Sequence, residues 1–261
     1  MIKLMNTAKL PFNIVKGSYE QRINFAKSLN EKFYLRITKK FKTKDVKPDI
    51  FERHLRKVTG NKITLKIFDS TDEPFVGNTF LGVNPKNQSE ADRFNIYLPL
   101  NKYDKTLSLN DANLFMHETF HFFFSIVNPK HSRRLIAKCE KDLSEKTDSF
   151  YNEYLYHRNV DLEALKNKVL PEFLKGLTDD EKIDFLQSSR YRLTEELHAY
   201  QEGTKYYDRI QDDHLDLIQE KFTCDDGEKY QCQEKIEILK SFLRDTLTQI
   251  RSQFNIQKIK E

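Results

Sequence analysis

Residues 113 to 127 read NLFMHETFHFFFSIV, an apolar run interrupted by two imidazoles and a carboxylate. On a helix, side chains four positions apart lie on one face, one turn apart. His117 and His121 can therefore present two nitrogens to one metal ion. Glu118 lies one position further round, too far to join the same coordination easily but well placed to hydrogen-bond a water there. That is the mechanical content of an HExxH motif: two zinc ligands and a general base. The bland alternative is a chance match on a core helix. The setting weighs against it. Ala112, Leu114, Phe115, Met116, Phe120, Phe122, Phe123, Phe124, Ile126 and Val127 make the helix apolar nearly all round. Such a helix is buried, and burying three ionisable groups without a partner is costly. A metal removes that cost. The expectation is one Zn2+ per chain on His117 and His121, with Glu118 as the catalytic base.

A catalytic zinc keeps three protein ligands and one open position. The elongated motif with a later glycine and a third histidine is missing, since the chain continues as HETFHFFFSIVNPKH and His131 stands at the wrong distance. The third ligand should then come from another helix. Glu140, Asp142, Glu153 and His157 are near in sequence, but each also suits a solvated helix face. A further candidate stretch is RLTEELHAYQEG, residues 192 to 203.

With HETFH followed much later by that stretch, the chain resembles the gluzincins, HExxH zinc peptidases whose third ligand is a Glu on a later helix. In that family the ligand Glu commonly stands three positions before a small residue. Glu196 and Ala199 fit that spacing, and Glu195, with His198 in that place, fits less well. The resemblance covers the motif helix, the strand before it and the later Glu helix, about a third of the chain. The separation between the two helices is long for the family, implying a helical insertion. The resemblance implies hydrolysis of peptide bonds in a protein or peptide substrate, which the strand could hold extended by main-chain hydrogen bonds. It also implies a donor for the oxyanion. Tyr191 is the first candidate, followed by Tyr200, Tyr206 and His198. Arg192 could pair with Glu196 or with a substrate carboxylate. Asn113, one turn before His117, could support the histidines. Compact, Lys-rich, signal-less proteases of this kind include bacterial toxins and injected effectors. A regulatory cytoplasmic peptidase and a non-catalytic peptidase-like binding module are the competing readings.

The elements that must position these residues are legible in outline. Residues 18 to 41 carry apolar residues at helical spacing behind a possible Ser18 N-cap, and Pro48 and Gly60 bracket a short second helix. The period then changes. Residues 62–68, 74–83 and 93–100 alternate like strands. The motif helix starts behind Ser108 or Asn110 and stops at Asn128-Pro129. Amphipathic helices are expected over 130–157, 160–176, 178–210 and 225–255, with Pro171 and Gly176 punctuating the second of these. The fold class is α+β and helix-dominated: a small mixed or antiparallel sheet, then the active-site helices and a helical C-terminal part. Residues 1–108 form the N-terminal helices and sheet and 109–261 the helical part, together one compact domain.

Composition narrows the rest. The 261 residues carry 44 Lys and Arg against 40 Asp and Glu, so the net charge of +4 is small and no concentrated basic face stands out. Nucleic-acid binding is disfavoured on that ground. Three cysteines, Cys139, Cys224 and Cys232, make no disulfide framework and no CxxC pair. No run approaches the about 20 apolar residues of a membrane span. The N-terminal stretch shows no cleavable leader, so a cytoplasmic location, or secretion without a cleaved signal peptide, is expected.

Overall fold

Ser18 and Gln21 start the first helix with a reciprocal capping box. The Ser18 hydroxyl accepts the Gln21 N–H at 3.2 Å, and Gln21 Oε1 accepts the Ser18 N–H at 2.8 Å. Helix α1 runs Tyr19–Phe41 and buries Ile23, Ala26, Leu29, Asn30, Phe33, Tyr34, Ile37, Thr38 and Phe41, a stripe spaced by three and four. Helix α2, Pro48–Val58, begins on its proline. Thr59 ends it by donating its N–H to the Leu55 carbonyl, and Gly60 follows at φ 77°, a left-handed position that glycine occupies without penalty. Both helices match the sequence expectation.

In the computed structural model the described residues are 17–41, 45–60, 64–69, 93–98, 100–108, 112–128, 150, 164–178, 181–182, 185, 194–206, 209, 237 and 240. The chain divides into two compact units: residues 1–132 with 201–224, and residues 133–200 with 225–261.

In the first unit, strands β1 (Thr64–Asp69) and β2 (Arg93–Leu98) pair with Ile67 opposite Ile96. The pair is parallel, so of the expected mixed or antiparallel sheet the described strands show a parallel pair. A parallel pair needs a crossover of about a dozen residues or more, and the chain between Asp69 and Arg93 is long enough to supply one. The strand expected over 74–83 lies outside the described residues. On β1, the Ile67 N–H donates to Glu52 Oε1 of α2 at 2.8 Å. Beyond β2, Val46 and Leu107 form an isolated antiparallel bridge. The turn between β2 and that bridge holds Lys105 at φ 52°, with its ammonium 2.5 Å from the carboxylate of Asp69, whose side chain is buried.

Helix α3, Ala112–Val127, packs along α1 and touches β2. Aromatic rings weld the three helices together. Phe33 meets Phe51 edge-on at 4.8 Å, Phe51 meets Phe115 at 5.5 Å, and Phe115 stacks on Phe41 at 5.6 Å. The expected end of α3 is borne out: Asn128 donates its N–H to the Phe124 carbonyl, and its side-chain oxygen accepts from Arg22. Of the two N-cap candidates, Asn110 lies outside the described residues.

In the second unit, a π-helical turn at Leu165–Val169 leads directly into helix α4, Leu170–Lys175. Pro171 accounts for it. The ring lacks an N–H and crowds the carbonyl four residues back, and a wider turn relieves the crowding. Phe150, Phe173 and Phe185 close a triangle of rings at 4.6 to 5.7 Å. A second capping box, Thr178 with Glu181, opens the helical turn that follows. Residues 194–206 are helical. The described residues are thus helix-dominated with a small sheet, and none of their helices is long and apolar enough to cross a membrane.

Candidate metal centre

Most of the described side chains of helix α3, which carries the motif, are buried. Phe115, Met116, Phe120, Phe122, Phe123 and Phe124 are each at most 1% exposed. The helical turn then does what the spacing predicts. His117 Nε2 and His121 Nε2 lie 3.3 Å apart. Glu118 Oε1 lies 3.9 Å from His117 Nε2. One ligand atom from each of the three residues falls within 4.8 Å of the others. Glu118 and His121 are buried and His117 is partly so.

The nitrogen separation provides a fit test. Two nitrogens on one tetrahedral zinc, each at about 2.0–2.1 Å, stand about 3.3 Å apart. The two imidazoles already hold that edge. A direct imidazole–imidazole hydrogen bond is compatible with the same distance, but only when the two rings take opposite roles at Nε2. The donor set of neutral imidazoles and a carboxylate suits zinc.

The remaining sequence candidates fall differently. Glu196 and Glu195 both lie on the helical run 194–206, in its part belonging to the second unit; Glu195 is buried and Glu196 half-buried. Tyr200 and His198 are half-buried on the same run. Tyr206, another oxyanion-donor candidate, is bound to α1. Its hydroxyl donates to Glu31 Oε2 at 2.8 Å and its ring stacks on Tyr34 at 4.6 Å. Burial, with the carboxylates of Glu202 and Glu31 beside it, pushes that phenol far above its ordinary range. Tyr206 is a clamp on α1. Tyr191 and Arg192 lie outside the described residues, as do Glu140, Asp142, Glu153 and His157. The Asn113 side chain is likewise not described.

Sequence reasoning missed the polar support behind the motif. Asn30 of α1 is fully buried and donates to the Met116 carbonyl at 3.1 Å and to Glu202 Oε2 at 3.3 Å. The Thr119 hydroxyl donates to Asn30 Oδ1 at 2.7 Å. Met116 and Thr119 flank His117 and Glu118 in the chain, so Asn30 grips the backbone from which the motif projects. A signal existed: Asn30 occupies a core position in the α1 stripe, between Ala26 and Phe33. Burial pushes the Glu202 carboxyl above its usual range, against the opposing pull of Lys205, of the Asn30 hydrogen bond and of Lys27. Burial likewise holds Lys27 below the ordinary lysine range.

Comparison of the chain with protein-family models, with curated proteins and with solved structures finds no match.

Proposed function

We propose that this chain is a zinc-dependent peptidase. The observation that carries the reading is the pair of Nε2 atoms 3.3 Å apart on a buried helix, with the Glu118 carboxylate beside them. His117 and His121 hold the metal, and the resemblance to the gluzincins implies Glu196 as the third ligand. A bound zinc supplies a Lewis acid and an acidified water. Glu118 does the proton work. Its carboxylate takes a proton from the water that attacks the substrate carbonyl, and a carbon–oxygen bond forms. It then delivers that proton to the amine nitrogen as the carbon–nitrogen bond breaks. Tyr191 is the first candidate to donate a hydrogen bond to the oxyanion.

The substrate is a protein or peptide held extended, and the reading extends to a bacterial toxin or effector that cleaves a host protein. A regulatory peptidase acting on an endogenous partner is the second form of the same chemistry. A peptidase-like binding module is the non-enzymatic alternative. The intact Glu118 favours catalysis over that alternative, because losing the base is the simplest way to silence such a site.

Metal analysis of the purified protein tests the reading. The expected result is close to one zinc per chain, lost in His117→Ala, His121→Ala and Glu196→Ala and kept in Glu118→Ala, which in turn loses hydrolysis of an unfolded protein substrate. Absence of zinc after incubation with the ion would mean that HETFH is core packing.

A further inference from the structure

Helices α1 and α2 meet along a seam at the Phe33–Phe51 contact. His54 of α2 lies in that seam, 9% exposed, and its Nδ1 is buried with no hydrogen-bond partner among the described residues. On α1, Arg36 and Lys40 follow Phe33 by three and seven positions, so they line the same flank of the helix. On α2, Arg53 and Lys57 stand one turn apart beside His54. All four cations are exposed at their own positions. All four act on the His54 imidazole: after burial, Lys57, Lys40, Arg36 and Arg53 are what hold it below the ordinary histidine range. Arg53 makes only an exposed pair with Asp49, at 3.3 Å. Arg36, Lys40 and Lys57 make no ion pair among the described residues.

We propose that this seam is a binding site for a phosphate group, gripped by Arg36 and Lys40 of α1 and by Arg53 and Lys57 of α2, with His54 at its floor. Four like charges around one imidazole are mutually repulsive, and among the described residues only the exposed Asp49, on Arg53, offsets any of them. A dianion offsets them. The two guanidiniums present forked donors that match phosphate oxygens, and the two ammoniums act as point charges. An anion on the seam opposes the cations' effect on the ring. An ordinary solvated helix face would alternate its charges. This one does not: from Lys32 to the end of α1 at Phe41 there is no Asp or Glu. The phosphate could be a soluble ion or phosphomonoester, or the headgroup of an anionic lipid. The site is independent of the metal centre.

The test uses the full chain. Inorganic phosphate is titrated at constant ionic strength, followed by the His54 ring resonances and by calorimetry. A second arm measures co-sedimentation with phosphatidylcholine vesicles, with and without phosphatidylinositol phosphate. The expected result is saturable binding that shifts the His54 ring. Arg36→Gln/Arg53→Gln and Lys40→Gln/Lys57→Gln should each weaken it by about tenfold or more, as expected when charge-assisted hydrogen bonds are lost. Saturation by free phosphate assigns a soluble source, and binding only to the phosphoinositide vesicles assigns a lipid one. The proposal is overturned if neither probe binds, if phosphate leaves the His54 ring where chloride does, or if both folded double variants bind as the wild type does. The ring comparison on the wild type decides the matter should a variant fail to fold.

Discussion

Asn30 is the residue whose loss the motif helix should feel most. Its amide satisfies the Met116 carbonyl and the Glu202 carboxylate, and its oxygen accepts the Thr119 hydroxyl. Asn30→Ala leaves buried partners unpaired and is expected to destabilise the fold by about 2–3 kcal/mol, read from urea unfolding. Zinc affinity should fall with it, since groups that orient ligands commonly contribute about 10–100-fold to metal binding. Thr119→Val, which keeps shape and removes one donor, should cost less than Asn30→Ala. His54 sets the opposite kind of expectation. Its imidazole is held below the ordinary value when folded, so the unfolded chain takes up the proton first as pH falls. Its contribution to stability is present above about pH 6.5 and is lost as pH falls below that. Urea midpoints from pH 7.5 to 5 should decline less steeply in His54→Gln, and an unchanged slope would sink that account.

The helices were legible because their signals are local. Ser18 with Gln21 and Pro48 with Gly60 mark boundaries through neighbours no more than about a dozen residues away. Ser18→Ala is expected to cost about 1 kcal/mol through the lost cap. Gly60→Ala should cost a similar amount, because φ 77° strains any residue with a Cβ. Thermal denaturation of each variant checks both. The motif was legible for the same reason, since the i to i+4 spacing of one helix puts both imidazoles on one face, within reach of each other. What could not be read is what depends on distant partners. Whether β1 pairs parallel or antiparallel to β2 is set by the path between them. The commitment of Tyr206 to Glu31 joins residues 175 positions apart. The π turn before α4 needed a steric argument about Pro171 that periodicity does not contain.

Within one cluster of charge, two carboxylates that share Lys205 respond to acid in opposite senses. Burial alone would raise Glu31, but hydrogen bonds from Arg209, Tyr206 and Lys205 outweigh it and hold the carboxyl below its ordinary value. Its contribution to stability is present above the unfolded carboxylate range and is lost on acidification. Glu202 is raised, so its contribution is present below that range and is lost as pH rises through its folded value. Glu202→Gln, which keeps the shape and can still accept from Asn30, should therefore stabilise the protein at neutral pH relative to pH 4. Glu31→Gln should destabilise it at neutral pH. The parallel pairing of β1 and β2 carries a consequence in time rather than in energy. No hairpin can nucleate it, because the two strands are brought side by side only after the intervening chain has travelled back. Helix α2, whose Glu52 meets the Ile67 N–H, assembles against α1 from neighbours close in sequence and is ready earlier. Folding should then run from the helices to the sheet. Truncating Phe33 or Phe51 should slow refolding, whereas truncating Ile67 or Ile96 should mainly hasten unfolding.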